Sequence, residues 1–324
     1  MKKTFALLLA LLTLAAIFTG CGKQTVTDRP GKLKIVATIF PEYDWVREIL
    51  GGTAENAEIT LLMDNGVDLH SYQPTVEDLV KISDCDLFLY VGGESDGWAA
   101  DALKSKTNSG RTVISLLDVL GDDLKTEETV EGMQADDHGH DKAPETDEHV
   151  WLSLKNAQTL VSAISQALQE ADPGNREAYA ANTTAYLQKL SALDAAYRSA
   201  ADGGAAKTIL FGDRFPFRYL ADDYGLKYYA AFAGCSAETE ASFETVSFLA
   251  RKVDEEGLPC VLTIEGTQHK IAETVVQNTM EKNQKVLTMD SMQSTTSKDA
   301  ENGVTYLSIM EKNLAVLKEA LEVK

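Results

Sequence analysis

The sequence predicts an α/β fold of two lobes, each a mostly parallel sheet flanked by helices, joined by one long rigid helix. Three observations carry this. Short apolar runs alternate with helix-patterned segments from Leu33 onward, the rhythm of parallel strands covered by helices. Tyr179, Thr183, Tyr186, Leu190, Leu193 and Tyr197 recur at spacings of four and three, one stripe of a helix that spans roughly 40 Å at 1.5 Å per residue. The 324 residues also exceed what one core usually serves.

At the N-terminus, Lys2 and Lys3, the apolar run Thr4 to Phe18 and Thr19-Gly20-Cys21 form a charged n-region, a short h-region and a small-residue junction, a secretory signal too short to span a bilayer. Thr-Gly-Cys resembles a lipobox, with Phe18 where leucine is usual, so Cys21 is the expected lipid attachment site. The polar stretch to Lys32 reads as a tether. Leu33 to Phe40 is the first strand, and Pro41 opens a helix that Gly51-Gly52 ends. Ile59 to Met63 is the second strand, Pro74 to Ser83 a helix, Asp86 to Val91 a third strand, Gly97 to Leu103 a helix and Thr112 to Leu116 a fourth strand. Gly121 to Glu148 breaks the rhythm with dense Asp and Glu and with His138-Gly139-His140, and reads as a solvated loop. Ser153 to Ala171 is helical, and the long helix runs from Asn175 to about Ala201.

The second half repeats the pattern. Strands are expected at Lys207 to Phe211, Leu226 to Phe232, Cys260 to Ile264 and Val286 to Thr288. Helices are expected at Pro216 to Tyr224, Glu240 to Glu256, Lys270 to Lys282 and Gly303 to Leu321. The resulting organisation is a signal peptide 1–20, a lipidated tether 21–32, an N-terminal lobe 33–172 containing the loop 121–148, a linking helix 173–203 and a C-terminal lobe 204–324.

A net charge of −20 argues against nucleic acid, whose phosphates need Lys and Arg, and raises the local concentration of cations. Of four cysteines, Cys85 reads as a small buried residue, while Cys235 and Cys260 each lie at one end of a strand-like run and are candidates for a disulfide in an oxidising compartment. No Cys-x-x-Cys is present, which argues against a thiolate zinc site.

Two stretches carry chemistry. Val67-Asp68-Leu69-His70-Ser71-Tyr72-Gln73-Pro74-Thr75 places His70 between an apolar run and a helix start, where open α/β sheets bind ligands. Glu148-His149-Val150-Trp151-Leu152-Ser153 holds a second histidine in similar company. A lone loop histidine is usually just a surface group; the pair is what points to a metal.

The two motifs together resemble the metal-binding solute-binding proteins of bacterial ABC importers, over a span from about Lys34 to the C-terminus. The resemblance implies a lipid-anchored receptor on the extracytoplasmic face of the membrane. It holds one divalent ion between lobes, hands it to a permease and its ATPase, and performs no chemistry. It implies His70, His149 and Asp290 (in Met289-Asp290-Ser291-Met292) as ligands, with Glu265 at an acidic strand end. The family's third ligand falls on Arg214, which stays charged and cannot ligate. Arg214 is expected to turn aside onto Glu240 or, failing that, onto Asp290; His269 and Asp213 are candidate substitutes. Zn(II) is favoured over Mn(II) because imidazoles are softer than carboxylates and the loop carries two more, which implies at most a weaker second site there. A monomer is expected. The competing readings are a receptor for another small solute and, behind it, a metallo-hydrolase; no His-Glu-x-x-His, Gly-x-Ser-x-Gly or phosphate-cradling glycine loop is present.

Overall fold

Two four-stranded sheets, parallel throughout, carry the chain, as expected. The structure is a computed structural model and describes residues 31–134, 145–236, 240–266 and 268–323. The first sheet has the order β2-β1-β3-β4, from Leu33–Ala37 (β1), Ala57–Leu61 (β2), Leu87–Tyr90 (β3) and Thr112–Ser115 (β4). The second has the order β6-β5-β7-β8, from Thr208–Phe215 (β5), Lys227–Ala233 (β6), Cys260–Thr263 (β7) and Lys285–Thr288 (β8). Buried on both faces, β3 and β7 need only short apolar runs.

The helices are Phe40–Leu50 (α1), Val76–Asp84 (α2), Ala99–Ala102 (α3), Leu116–Leu120 (α4), Leu154–Ala171 (α5), Arg176–Gly203 (α6), Arg218–Tyr224 (α7), Phe243–Glu256 (α8), Lys270–Gln277 (α9), Ser297–Glu301 (α10) and Tyr306–Ala320 (α11). Local chemistry explains where they start. The Thr75 hydroxyl accepts from the Asp78 N–H, while the Asp78 carboxylate takes the Thr75 N–H at 2.9 Å, a reciprocal cap. The helix therefore begins two residues after Pro74, not at it. Thr296 and Thr305 form similar caps, so the single helix expected from Gly303 is preceded by a separate short one. Ser242 caps α8, which starts there and not at Glu240.

All six residues of the α6 stripe are buried. α6 packs on α1 and α5 from the first half of the chain and on α7 and α11 from the second. One apolar core runs from Leu33 to Leu321 and takes in Trp45, Phe88, Trp151, Phe211 and Tyr306. A smaller cluster, with Leu210, Phe232, Leu249 and Val275, covers another face of the second sheet.

The acidic stretch carries structure that its composition did not announce. An antiparallel bridge, Thr126 to Thr146, clips its ends together; His138 and His140 lie outside the described residues, as does Cys21. The expected Cys235–Cys260 disulfide is not formed, and both cysteines are free. Cys235 lies just past the carboxyl end of β6, near the level of Phe215 of β5, whereas Cys260 starts β7, two positions before Leu262, which pairs with Phe211. In a parallel sheet these are opposite ends, about 20 Å apart at ~3.3 Å per residue, and a disulfide needs Cα atoms within ~7 Å.

Candidate metal centre

In a parallel sheet the loops that lead from strand to helix lie at the carboxyl edge, where ligands bind, and His70 stands in one of them. His70 lies in a one-turn helix, Leu69–Ser71, between β2 and α2. Asp68 caps that turn, its Oδ1 receiving the His70 N–H at 2.9 Å. His149 comes shortly after the Thr126–Thr146 bridge and enters another single turn, Val150–Leu152, ahead of α5; it does not sit at the end of a sheet strand.

The two imidazoles face each other, Nε2 to Nε2, at 3.2 Å. Each is aimed from behind. Asp147 Oδ1 accepts both the His149 backbone N–H and its Nδ1–H, each at 2.9 Å, so Nε2 is left for the site. His70 Nδ1 bonds Ser95 Oγ at 2.8 Å, with Glu148 Oε2 3.7 Å away. Burial, then the neighbouring His149 ring, pushes His70 down to about 3, so it is neutral and able to ligate at pH 7. Bonds of 2.0–2.1 Å to a tetrahedral zinc separate two nitrogens by about 3.3 Å, close to the spacing observed.

Among the described residues, the metal-competent group formed with these two histidines includes Cys235, all three ligand atoms lying within 4.8 Å of one another. Sequence reasoning assigned Cys235 elsewhere. The signal was Gly234-Cys235 at the carboxyl end of β6. A Cβ on Gly234 would stand 2.9 Å from the Phe215 carbonyl oxygen and 3.1 Å from His149 Cε1, so only glycine lets this turn close onto the imidazole. The Cys235 N–H donates to Glu127 Oε1 at 2.8 Å. Burial, then Glu127, Asp147 and Glu148, raises the thiol well above its usual range.

The carboxylates expected as ligands are engaged elsewhere. Glu265 takes the Ser291 N–H at 2.6 Å, the Ser291 hydroxyl at 2.7 Å and the Gln293 N–H at 3.0 Å. Asp290 Oδ1 takes the Met292 N–H at 2.7 Å, and burial, then Glu265, pushes Asp290 up to about 6. Glu265 still lines a cavity of about 460 Å³ together with His70, Arg214 and His269; Asp290 is not among its lining residues.

Arg214 pairs with neither Glu240 nor Asp290. Its guanidinium meets Asp68 Oδ2 at 2.6 Å and the Ser236 carbonyl at 3.4 Å. The register of β5 against β6 shifts between Phe211 and Arg214, and the strand end then faces the His70 turn, where Asp68 has its second oxygen free. Burial opposes ionisation of Asp68, but Arg214 and His70 hold its carboxyl below the ordinary range. The two substitutes are also occupied. Asp213 Oδ2 accepts from Thr263 Oγ1 at 2.6 Å, and that hydroxyl lies 3.1 Å from His269 Nδ1.

Comparison with known proteins agrees with a zinc site. The chain is 32% identical over 321 residues to the zinc-binding lipoprotein AdcA of Streptococcus pneumoniae, covering 99% of this chain but only 61% of that protein's length. It is 30% identical to the high-affinity zinc uptake system protein ZnuA of Bacillus subtilis, over 99% of this chain and 97% of that protein. The crystal structure of the Zn(II)-bound ZnuA-like domain of S. pneumoniae AdcA superposes with a TM-score of 0.69 at 29% identity, covering 90% of this chain and all of that one. With residues 35–320 matching its profile, the chain belongs to the ZnuA family, described as the periplasmic component A of the zinc-uptake complex.

Proposed function

We propose that this chain is an extracytoplasmic receptor that captures one Zn(II) and delivers it to an ABC permease and its ATPase. It works as a monomer held at the membrane by a lipid on Cys21, and does no chemistry on its cargo. The supporting observation is the pair of oriented imidazoles, 3.2 Å apart at their Nε2 atoms, the edge length of a tetrahedral zinc shell. Nitrogen donors favour Zn(II) over Mn(II). Glu265 gives the cavity beside His70 an acidic wall, and an arriving cation offsets the part of the Asp290 shift that Glu265 adds to burial. The lobes are 33–172 and 204–324, with 173–203 as the link between them.

The test is metal analysis of protein purified without added metal, then calorimetric titration. His70→Ala and His149→Ala each weaken zinc binding by orders of magnitude while the circular dichroism stays native. Affinities within a few-fold of wild type for both variants would remove these histidines from the site.

A further inference from the structure

We propose that the Cys235 thiolate is the third zinc ligand, making this a His2Cys site that selects thiophilic divalent cations. The inference rests on the receptor reading above and specifies its donor set. Three observations converge. The Cys235 sulfur and the two histidine nitrogens lie within 4.8 Å of one another. A zinc bound at ~2.3 Å to sulfur and ~2.0–2.1 Å to nitrogen needs an S···N separation of about 3.6 Å, so closing the shell takes a contraction of at most roughly 1 Å. Gly234 lets the turn bearing the thiol lie against the His149 ring, which a side chain there would prevent. Arg214, the other nearby residue at a strand end, is committed to Asp68 and has no lone pair to give.

The setting suits a thiolate–metal bond. Asp147 and Glu127 hold His149 and the Cys235 backbone from behind, and their negative charge favours a divalent cation over an empty site. As the S–Zn bond forms, the thiol proton leaves to solvent. With Glu265 held by Ser291 and Gln293, the three donors leave the fourth position to a solvent oxygen. A sulfur donor turns selectivity toward Zn(II), Cd(II) and Co(II) and away from Mn(II) and Mg(II).

Cobalt substitution of the reduced full chain tests this. Wild type with Co(II) shows a thiolate-to-cobalt charge-transfer band in the near ultraviolet. Cys235→Ser abolishes that band, weakens zinc by more than the roughly 10–100-fold that loss of an outer-shell partner costs, and narrows the preference for Zn(II) over Mn(II). Cys235→Ala behaves the same way, which separates loss of the sulfur from any ligation by serine. Tight binding of cobalt without the band, or a band that persists in Cys235→Ser, overturns the ligand assignment and leaves the receptor reading standing. If the wild type binds neither zinc nor cobalt, both readings fall.

Discussion

Asp147→Ala tests whether orientation from behind matters as much as the ligand itself. Asp147 is buried and accepts two hydrogen bonds from His149, one from the main chain and one from Nδ1, each at 2.9 Å. Truncation leaves two buried donors unpaired at about 1–3 kcal/mol each, a cost borne with and without metal. It lowers the unfolding temperature in both states. The part specific to zinc is smaller. A metal on Nε2 draws charge from the ring and strengthens the Nδ1–H bond to the carboxylate, and losing such a partner typically weakens metal affinity by about 10–100-fold. That corresponds to about 1.4–2.7 kcal/mol. Asp147→Asn keeps an acceptor without the charge and falls between the two. Competition against a chromophoric chelator reads the affinity, and thermal unfolding with and without zinc reads the rest. Affinity within about three-fold of wild type, with a lowered unfolding temperature, would show that Asp147 is structural only and that zinc does not use His149 as oriented here.

The Arg214–Asp68 pair should behave as a unit: Asp68→Asn leaves a cation facing the ion and weakens zinc, while Asp68→Asn with Arg214→Gln restores much of the loss, a coupling of about 0.5–3 kcal/mol in a double-mutant cycle; additive effects would refute it. Burial, then Asp96, pushes Glu42 up to about 8, and burial pushes Asp96 and Asp44 each up to about 6. Folded values above the unfolded ones give stability that is complete below about pH 4 and is lost as pH rises through 6 to 8. The metal-free protein should therefore unfold at a lower temperature at pH 8 than at pH 5, and Glu42→Gln should flatten that slope; equal slopes for the two proteins would refute the assignment.

Periodicity and pairing made much of this molecule legible. The α6 stripe and the strand–helix alternation are local patterns repeated many times, so errors of a few residues at the ends left the architecture intact. The two histidines stood out because each carries flanking residues that aim it. Long-range partners were less visible. Asp68 and Arg214 are 146 positions apart, and nothing near either one announces the other; only the fold brings the strand end to the turn. Cys235 was misread because a cysteine after a strand in an exported chain suggests a disulfide, and only the parallel register of β5 with β6 and β7 puts Cys260 at the far end of the sheet. The reach of Glu265 to three donors in 291–293 depends on the path of that loop, in which Met292 adopts a positive φ of 66° that sequence did not signal.

The long helix has a consequence for how sharply the ion is measured. Twenty-eight residues extend about 42 Å, and one buried side of them grips packing partners from both halves of the chain. Such an element acts as a gauge block, fixing how far the carboxyl edge of one sheet stands from that of the other. Metal–ligand bonds tolerate errors of about 0.2 Å. Adding a single residue to α6 would displace the second sheet by about 1.5 Å and turn it by roughly 100°. If the ion sits at the proposed site, a change of volume at Tyr186 or Leu190, both in the buried stripe of α6, is expected to shift metal preference without altering a single donor atom.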